Sequence, residues 1–119
     1  MNKKILVIDD DIDILDAMRF TLESAGYETV TSEKGEYAEN LDPSDYPDLI
    51  ILDMLLSGND GRTICKKLKD KRETRHIPVM IVSAHPYAID SIKEIRADDF
   101  LAKPFEVSVL LEKIEFLLS

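Results

Sequence analysis

Short apolar runs alternate along the chain with longer stretches in which apolar residues recur every three or four positions. This alternation predicts repeated strand–helix units that close into a parallel sheet. Five such pairs can be read. Lys4 to Ile8 is the first strand; Ile14, Met18, Leu22 and Ala25 follow at helical spacing, with Asp11 as N-cap and Gly26 as the terminating residue. Tyr27 to Thr31 alternates and is rich in Thr and Val, as an edge strand would be, and a polar helix over Lys34 to Asn40 stops before Pro43. Leu49 to Leu52 and Val79 to Val82 are unbroken apolar runs, the pattern of central strands covered on both faces. Between them Ser57-Gly58-Asn59-Asp60-Gly61 marks a loop, and Ile64, Cys65 and Leu68 form a helix stripe among Lys66, Lys67 and Lys69 that ends near Lys71. Ala88 to Ile95 leaves room for about two helical turns. Phe100 and Leu101 sit in a short fifth strand, and Val107, Leu110, Leu111, Ile114 and Leu118 outline a last amphipathic helix.

No repeat, low-complexity tract or Pro/Ser/Gly-rich linker interrupts this pattern, so a single α/β domain over residues 1–119 is expected, doubly wound with helices on both faces of the sheet. With 45% hydrophobic and 33% charged residues, the chain can bury a sizeable core. A net charge of −9 repels phosphate backbones and anionic headgroups, which disfavours direct nucleic-acid or membrane binding. The single cysteine, Cys65, has no partner, so neither a disulfide framework nor a thiolate metal site is expected, in keeping with a reducing cytoplasm. The apolar run Ile5 to Ile8 is too short for a secretory leader, and no segment approaches the ~20 apolar residues that cross a bilayer. A soluble, cytoplasmic protein is the expectation.

In open parallel sheets, ligands sit at the carboxyl ends of the strands. Those positions hold Asp9 and Asp10 after the first strand, Asp53 after the third, Ser83 after the fourth, and Lys103 with Pro104 after the fifth. Three carboxylates gathered in a partly desolvated crevice repel one another unless a cation compensates them. Magnesium suits such oxygen ligands, with Mn²⁺ as a substitute, because it keeps several waters and leaves room for a phosphoryl oxygen. Mg²⁺ and Lys103 together balance the three acids before an anion arrives. An aspartate so placed can act as a covalent nucleophile and form an acyl phosphate.

These residues resemble the receiver domain of two-component response regulators over essentially the whole chain. Lys4-Ile5-Leu6-Val7-Ile8-Asp9-Asp10-Asp11 is similar to that family's opening strand and acidic pair, and Ile50-Ile51-Leu52-Asp53-Met54, followed by Gly58 and Asn59-Asp60-Gly61, to the segment around its phosphorylated aspartate. Ile77 to Ala84 resembles its switch-hydroxyl strand, and Ala97 to Phe105 its strand-five lysine motif. The resemblance implies a flavodoxin-like fold, a five-stranded parallel sheet of order 2-1-3-4-5 with five helices. It implies Asp53 as phosphoacceptor, Asp10 as a direct Mg²⁺ ligand, Asp9 as an acid that orients the metal partly through water, and the Leu55 carbonyl as a further ligand. Lys103, before a cis peptide to Pro104, would pair with Asp53 and then with the phosphoryl group. Ser83 would donate to a phosphoryl oxygen, Ala84 would leave the acyl phosphate approachable, and Ser83 and Phe100 would move together as the switch. The implied partners are a histidine kinase or histidine phosphotransfer protein as donor and an effector protein or attached output domain downstream, with a phosphorylation-dependent homodimer as one output form. Catalysis would be limited to the domain's own phosphorylation and dephosphorylation.

The sequence also departs from the family pattern. Ser57 stands where a proline is common, Phe100 replaces the frequent tyrosine, Arg96 stands where glycine is usual, and the stretch from Ser83 to Lys103 is short by about two residues, so a shortened or displaced fourth helix is expected. Leu55 and His85 occupy the positions that tune loss of the phosphoryl group, and an apolar Leu cannot orient water, so slow self-dephosphorylation is expected. Two other readings compete: a docking module that is never phosphorylated, and a Mg²⁺-dependent aspartyl-phosphate phosphohydrolase, which would want a second Asp where Leu55 stands.

Overall fold

The structure, a computed structural model, describes residues 2–56, 59–85, 90 and 92–119, with Asn59 described for its backbone alone. In chain order the elements are β1 (Lys4–Ile8), α1 (Ile12–Ser24), β2 (Glu28–Ser32), α2 (Glu36–Glu39), a 3-10 turn (Pro43–Asp45), β3 (Leu49–Asp53), β4 (Leu55–Leu56), β5 (Asn59–Asp60), α3 (Gly61–Asp70), β6 (Val79–Ser83), α4 (Ile92–Ile95), β7 (Asp99–Ala102) and α5 (Val107–Leu118). Five strands form one parallel sheet in the order β2-β1-β3-β6-β7. This is the anticipated doubly wound, flavodoxin-like order once β4 and β5, two-residue strands paired antiparallel with each other, are set aside. The sequence reading took that ribbon for plain loop. Ser57 and Gly58, and Ala88 and Ile89 of the expected fourth helix, lie outside the described residues.

Successive strand side chains point to opposite faces, and the apolar residues divide accordingly. Ile5, Val7, Leu49, Ile51, Met80, Val82 and Leu101 meet Leu15, Met18 and Leu22 of α1 and Leu110 and Ile114 of α5. Leu6, Ile8, Ile50, Leu52, Val79 and Ile81 meet Ala38 of α2, Ile64, Cys65 and Leu68 of α3, and Ile95 of α4. Every residue of β3 and β6 is buried, which is why those strands read as unbroken apolar runs.

Local hydrogen bonding explains where boundaries differ from expectation. Asp11 caps α1 by accepting from the Asp13 N–H at 3.0 Å. At the other end Gly26 takes φ +95°, and the Gly26 and Tyr27 N–H groups turn back to the Glu23 and Leu22 carbonyls. The Tyr27 N–H is therefore committed to the helix, and β2 starts one residue later, at Glu28. The second helix shrinks to one turn because the Lys34 N–H is held by Ser32 Oγ and the Asn40 side-chain amide donates to the Glu36 carbonyl. The described part of α4 is likewise one turn, followed by Arg96 at φ +62°, a left-handed conformation that accounts for the glycine usual there.

Lys69, one of the lysines among which the apolar stripe of α3 runs, is buried, at 7% exposure. Its ammonium donates to the Ile77 carbonyl at 2.9 Å, the Arg75 carbonyl at 3.2 Å and Asp98 Oδ2 at 2.7 Å. Asp98 in turn accepts from the Val79 N–H at 2.7 Å. One buried cation thus ties the end of α3 to the start of β6 and the approach to β7, with its protons satisfied as burial requires.

Candidate functional site

Parallel strands of similar length end at one edge, and the sheet's register brings the expected residues there together. Asp53 ends β3 opposite Val82, and Ser83 ends β6 opposite Ala102, the residue before Lys103. The Lys103 N–H donates to the Ser83 carbonyl at 2.9 Å, which extends the ladder one step beyond β7 and aims the lysine across the sheet edge. Its ammonium lies 3.0 Å from Asp9 Oδ2 and 3.5 Å from Asp53 Oδ2. Asp9 Oδ1 accepts from the Asp11 N–H at 2.9 Å, and Asp53 Oδ1 from the Leu55 N–H at 3.3 Å. Ser83 is buried, and its Oγ accepts from the His85 N–H at 2.9 Å. The peptide from Lys103 to Pro104 is cis.

Asp9, Asp10 and Asp53 each bring a carboxylate oxygen within 4.8 Å of the others. Opposed oxygens on an octahedral Mg²⁺ stand about 4.2 Å apart, so acids this close fit such an ion after small side-chain movements, or with one acid bound through water. Asp9 and Asp53 are buried, and a single ammonium faces both. Burial pushes the Asp53 carboxyl above its usual range and the charge of Asp9 adds to this, while Lys103 and the Leu55 N–H pull the other way without cancelling it. Burial works against the Lys103 ammonium, but its hydrogen bond to Asp9 and the charges of Asp53 and Asp9 outweigh this and raise its pKa. Both directions describe a site with more negative than positive charge, which a divalent cation would redress.

The remaining expected residues surround this centre. Leu55 is 56% exposed, with its N–H on Asp53. Ala84 and His85 are exposed in the segment after β6. Phe100, the expected switch aromatic, is half-buried and packs on the α3/α4 face. Cys65 is buried, and burial pushes its thiol up to about 11, so it is a core residue.

The sequence reading missed two features. Gly61, taken as loop, is the first residue of α3. A Cβ there would lie 2.2 Å from the Asp53 carbonyl oxygen, and its N–H donates to the Met54 carbonyl at 2.7 Å. Helix α3 therefore packs directly on the backbone of Asp53. A glycine immediately after the Asp60 N-cap was the available signal, since glycine in a helix has no local advantage. The second feature is an apolar cleft of about 450 Å³ beside the acids, lined by Ile14, Met18 and Thr21 of α1, by Ala84, Pro104 and Phe105, and by Leu110 of α5. Phe105, apolar in a loop beside Lys103-Pro104, was its sequence signature.

The response regulator receiver domain family matches residues 5–115. The alkaline phosphatase synthesis transcriptional regulatory protein PhoP of Bacillus subtilis (strain 168) is 37% identical over 107 residues, 88% of this chain and 44% of the relative. The DNA-binding dual master transcriptional regulator RpaA of Synechocystis sp. is 38% identical over 117 residues, 97% of this chain and 48% of the relative. The chain thus spans about half the length of these curated relatives. The crystal structure of response regulator protein TrrA from Thermotoga maritima in complex with Mg(2+)-BeF superposes with a TM-score of 0.86 at 32% identity, covering 98% of this chain and 99% of that one. With its parallel sheet and acidic edge, the chain belongs to the response regulator receiver domain family of two-component systems.

Proposed function

We propose that Asp53 accepts a phosphoryl group from a phosphohistidine on a partner protein and that residues 1–119 act as one receiver domain. The observation that carries this reading is the pairing of Lys103 with Asp53 beside three carboxylate oxygens within 4.8 Å of one another. Asp10, Asp53 and the Leu55 carbonyl would hold Mg²⁺, and Asp9 would orient it; the ion supplies compensation for charge on the transferring oxygens. The protein's own groups do the rest. An Asp53 oxygen attacks phosphorus, a P–O bond forms as the P–N bond breaks, and the departing imidazole keeps the electron pair. Lys103 moves its attraction from the Asp53 carboxylate to the phosphoryl oxygens, and the Ser83 hydroxyl turns to donate to one of them. Phe100 follows Ser83, and the α4–β7–α5 surface changes as the two-state switch shifts. The apolar cleft that borders Lys103 gives a phosphodonor protein a desolvated surface next to the acceptor.

Regeneration needs water to attack the same phosphorus and break the P–O bond. Leu55 offers no group to orient that water, which makes the phosphorylated form long-lived. The natural output belongs to an effector or to further chain, as the length of the curated relatives implies. Incubation with a small acyl phosphate and Mg²⁺, followed by mass spectrometry, tests the proposal. One added phosphoryl group on Asp53, absent in Asp53→Asn, supports it. Steady release of phosphate with no modified protein would indicate a phosphohydrolase, and no reaction a docking module.

A further inference from the structure

Helices α1 and α5 lie on the same face of the sheet, and bury Leu15, Met18 and Leu22 from one and Leu110 and Ile114 from the other. At the carboxyl edge they stand apart. Between them runs the apolar cleft of about 450 Å³, walled by Ile14, Met18 and Thr21 of α1, by Leu110 of α5 and by Phe105. Its remaining wall is shared with the acid site. Lys103 lines the cleft while its ammonium holds Asp9 and Asp53, and Ala84 lines it next to Ser83. The volume falls within the roughly 300–1,000 Å³ of small-molecule sites. Apolar along its length and bordered by the acceptor at one end, the cleft suits a molecule that presents a phosphoryl group to Asp53 and carries an apolar tail.

We propose that the cleft seats the acyl chain of a small-molecule phosphodonor, so that Asp53 takes its phosphoryl group from mixed anhydrides of phosphoric acid and an unbranched, medium-length carboxylic acid in preference to acetyl phosphate. This rests on the reading of Asp53 as phosphoacceptor. An Asp53 oxygen attacks phosphorus, the bond from phosphorus to the bridging oxygen breaks, and the carboxylate departs with the electron pair, so no proton has to be supplied. The donor class follows from the groups present. An alcohol leaving from a phosphate ester needs a general acid. Among the described residues, the cleft wall offers only the Lys103 ammonium, which Asp9 and Asp53 already engage. A carboxylate is weakly basic and leaves without one.

A hexanoyl chain shows the size of the effect, since it has four more methylenes than acetyl. Full burial of a methylene gains about fourfold in binding; Ala17, Pro104 and Val107 on the rim are exposed, so the cleft covers a chain on about half its surface and gains about twofold for each. Together the four give about 10- to 20-fold. With donor below saturation the gain is read in the second-order labelling rate, which reports binding and transfer together. The two anhydrides release carboxylates of nearly equal basicity, so their reactivity in water does not supply the difference.

The test follows labelling of Asp53 by mass spectrometry with hexanoyl phosphate and with acetyl phosphate, each below saturation and with Mg²⁺. A hexanoyl-to-acetyl rate ratio of at least about ten is expected. Ala17→Phe folds a ring over the exposed rim and should lower the ratio below about three, while acetyl phosphate labelling stays within about twofold of the wild type. Hexanoylphosphonate, in which a P–C bond replaces the labile P–O bond, gives a readout independent of transfer: it should shift the backbone amide resonances of Thr21 and Leu110, and acetylphosphonate should not. A ratio near one, a ratio unaltered in Ala17→Phe, or hexanoylphosphonate shifts confined to other faces would overturn the proposal. Equal labelling by both donors refutes the cleft assignment and leaves Asp53 as acceptor, whereas labelling by neither refutes both.

Discussion

Gly61→Ala sets two known effects against each other. Alanine favours a helix over glycine by about 0.8–1 kcal/mol, so propensity alone predicts stabilisation of α3. The space predicts the reverse. The new Cβ would stand 2.2 Å from the Asp53 carbonyl oxygen, 2.9 Å from Met54 Cα and 3.0 Å from the Asp53 carbonyl carbon, all backbone atoms that cannot rotate away. Relief requires α3 and the end of β3 to separate by about 0.8 Å, which stretches the 2.7 Å bond from the Gly61 N–H to the Met54 carbonyl. Overpacking of this kind costs about 1–3 kcal/mol, so a net loss of about 1–2 kcal/mol is expected in urea denaturation. Function should suffer more than stability. A displacement near 1 Å at a reacting atom costs on the order of 10²-fold in rate, so acyl-phosphate labelling of Asp53 should slow by about that factor. Gly26→Ala is the control: its φ of +95° makes alanine strained, but nothing lies within 4 Å of the added carbon, so it should cost about 1–2 kcal/mol and leave labelling unchanged. A Gly61→Ala protein with the wild-type urea midpoint and labelling rate would refute the argument.

Lys69→Met leaves Asp98 and two carbonyls without their buried cation and should cost about 3–5 kcal/mol by urea denaturation, with much of the loss recovered when Asp98→Asn is added. Asp60→Ala removes the α3 cap and should cost about 1 kcal/mol at neutral pH. Because the Arg62 side chain and N–H hold the Asp60 carboxyl below 3.8, that contribution is complete above the unfolded-state pKa and is lost as pH falls through the folded one, so the two urea midpoints should converge in acid. Asp53→Asn should melt above the wild type in metal-free buffer at neutral pH: a carboxyl raised by burial and by Asp9 carries a penalty that is full above its folded pKa and absent below the unfolded one. Mg²⁺ at a hundred times its Kd adds about 2.7 kcal/mol to the wild type and should reverse that ranking, and Asp10→Asn should remove the gain; an unchanged shift would place the ion elsewhere. With its thiol pushed up to about 11, buried Cys65 should resist alkylation at neutral pH until the protein is unfolded, as followed by mass spectrometry.

The sheet was legible because burial on both faces leaves a mark that local sequence carries: β1 matches its expected bounds, and β3 and β6 each extend one residue further, to Asp53 and Ser83. Those added residues are the ones to which we assign the chemistry, polar side chains on the last rung of an apolar strand. What failed was set by groups that compete for the same N–H. Tyr27 satisfies every strand propensity yet bonds back to Leu22, and no residue pattern announces that its donor is already taken. Lys69 shows the opposite case. It continues the stripe of Gly61, Ile64, Cys65 and Leu68 at the proper spacing, so periodicity alone would turn it inward, whereas a lysine's charge gives no sign of burial. Its partner Asp98 lies 29 positions away, and only the fold joins them.

The same distinction governs the site. Asp9, Asp53, Ser83 and Lys103 could be read together because each ends or directly follows a strand, and strands of one parallel sheet deliver their ends to a common edge whatever the loops between them do. Gly61 could not be read that way, because its role comes from a helix pressed against the backbone of β3, a contact that depends on two elements meeting at a distance no side chain could fill. Residues proposed to carry chemistry are therefore placed by topology and visible in a linear sequence, whereas those that pack on the backbone of Asp53, the proposed acceptor, are placed by packing. Two chains sharing the four chemical residues can thus differ in reactivity through positions such as Gly61 and Leu55, where the contact that matters involves the main chain.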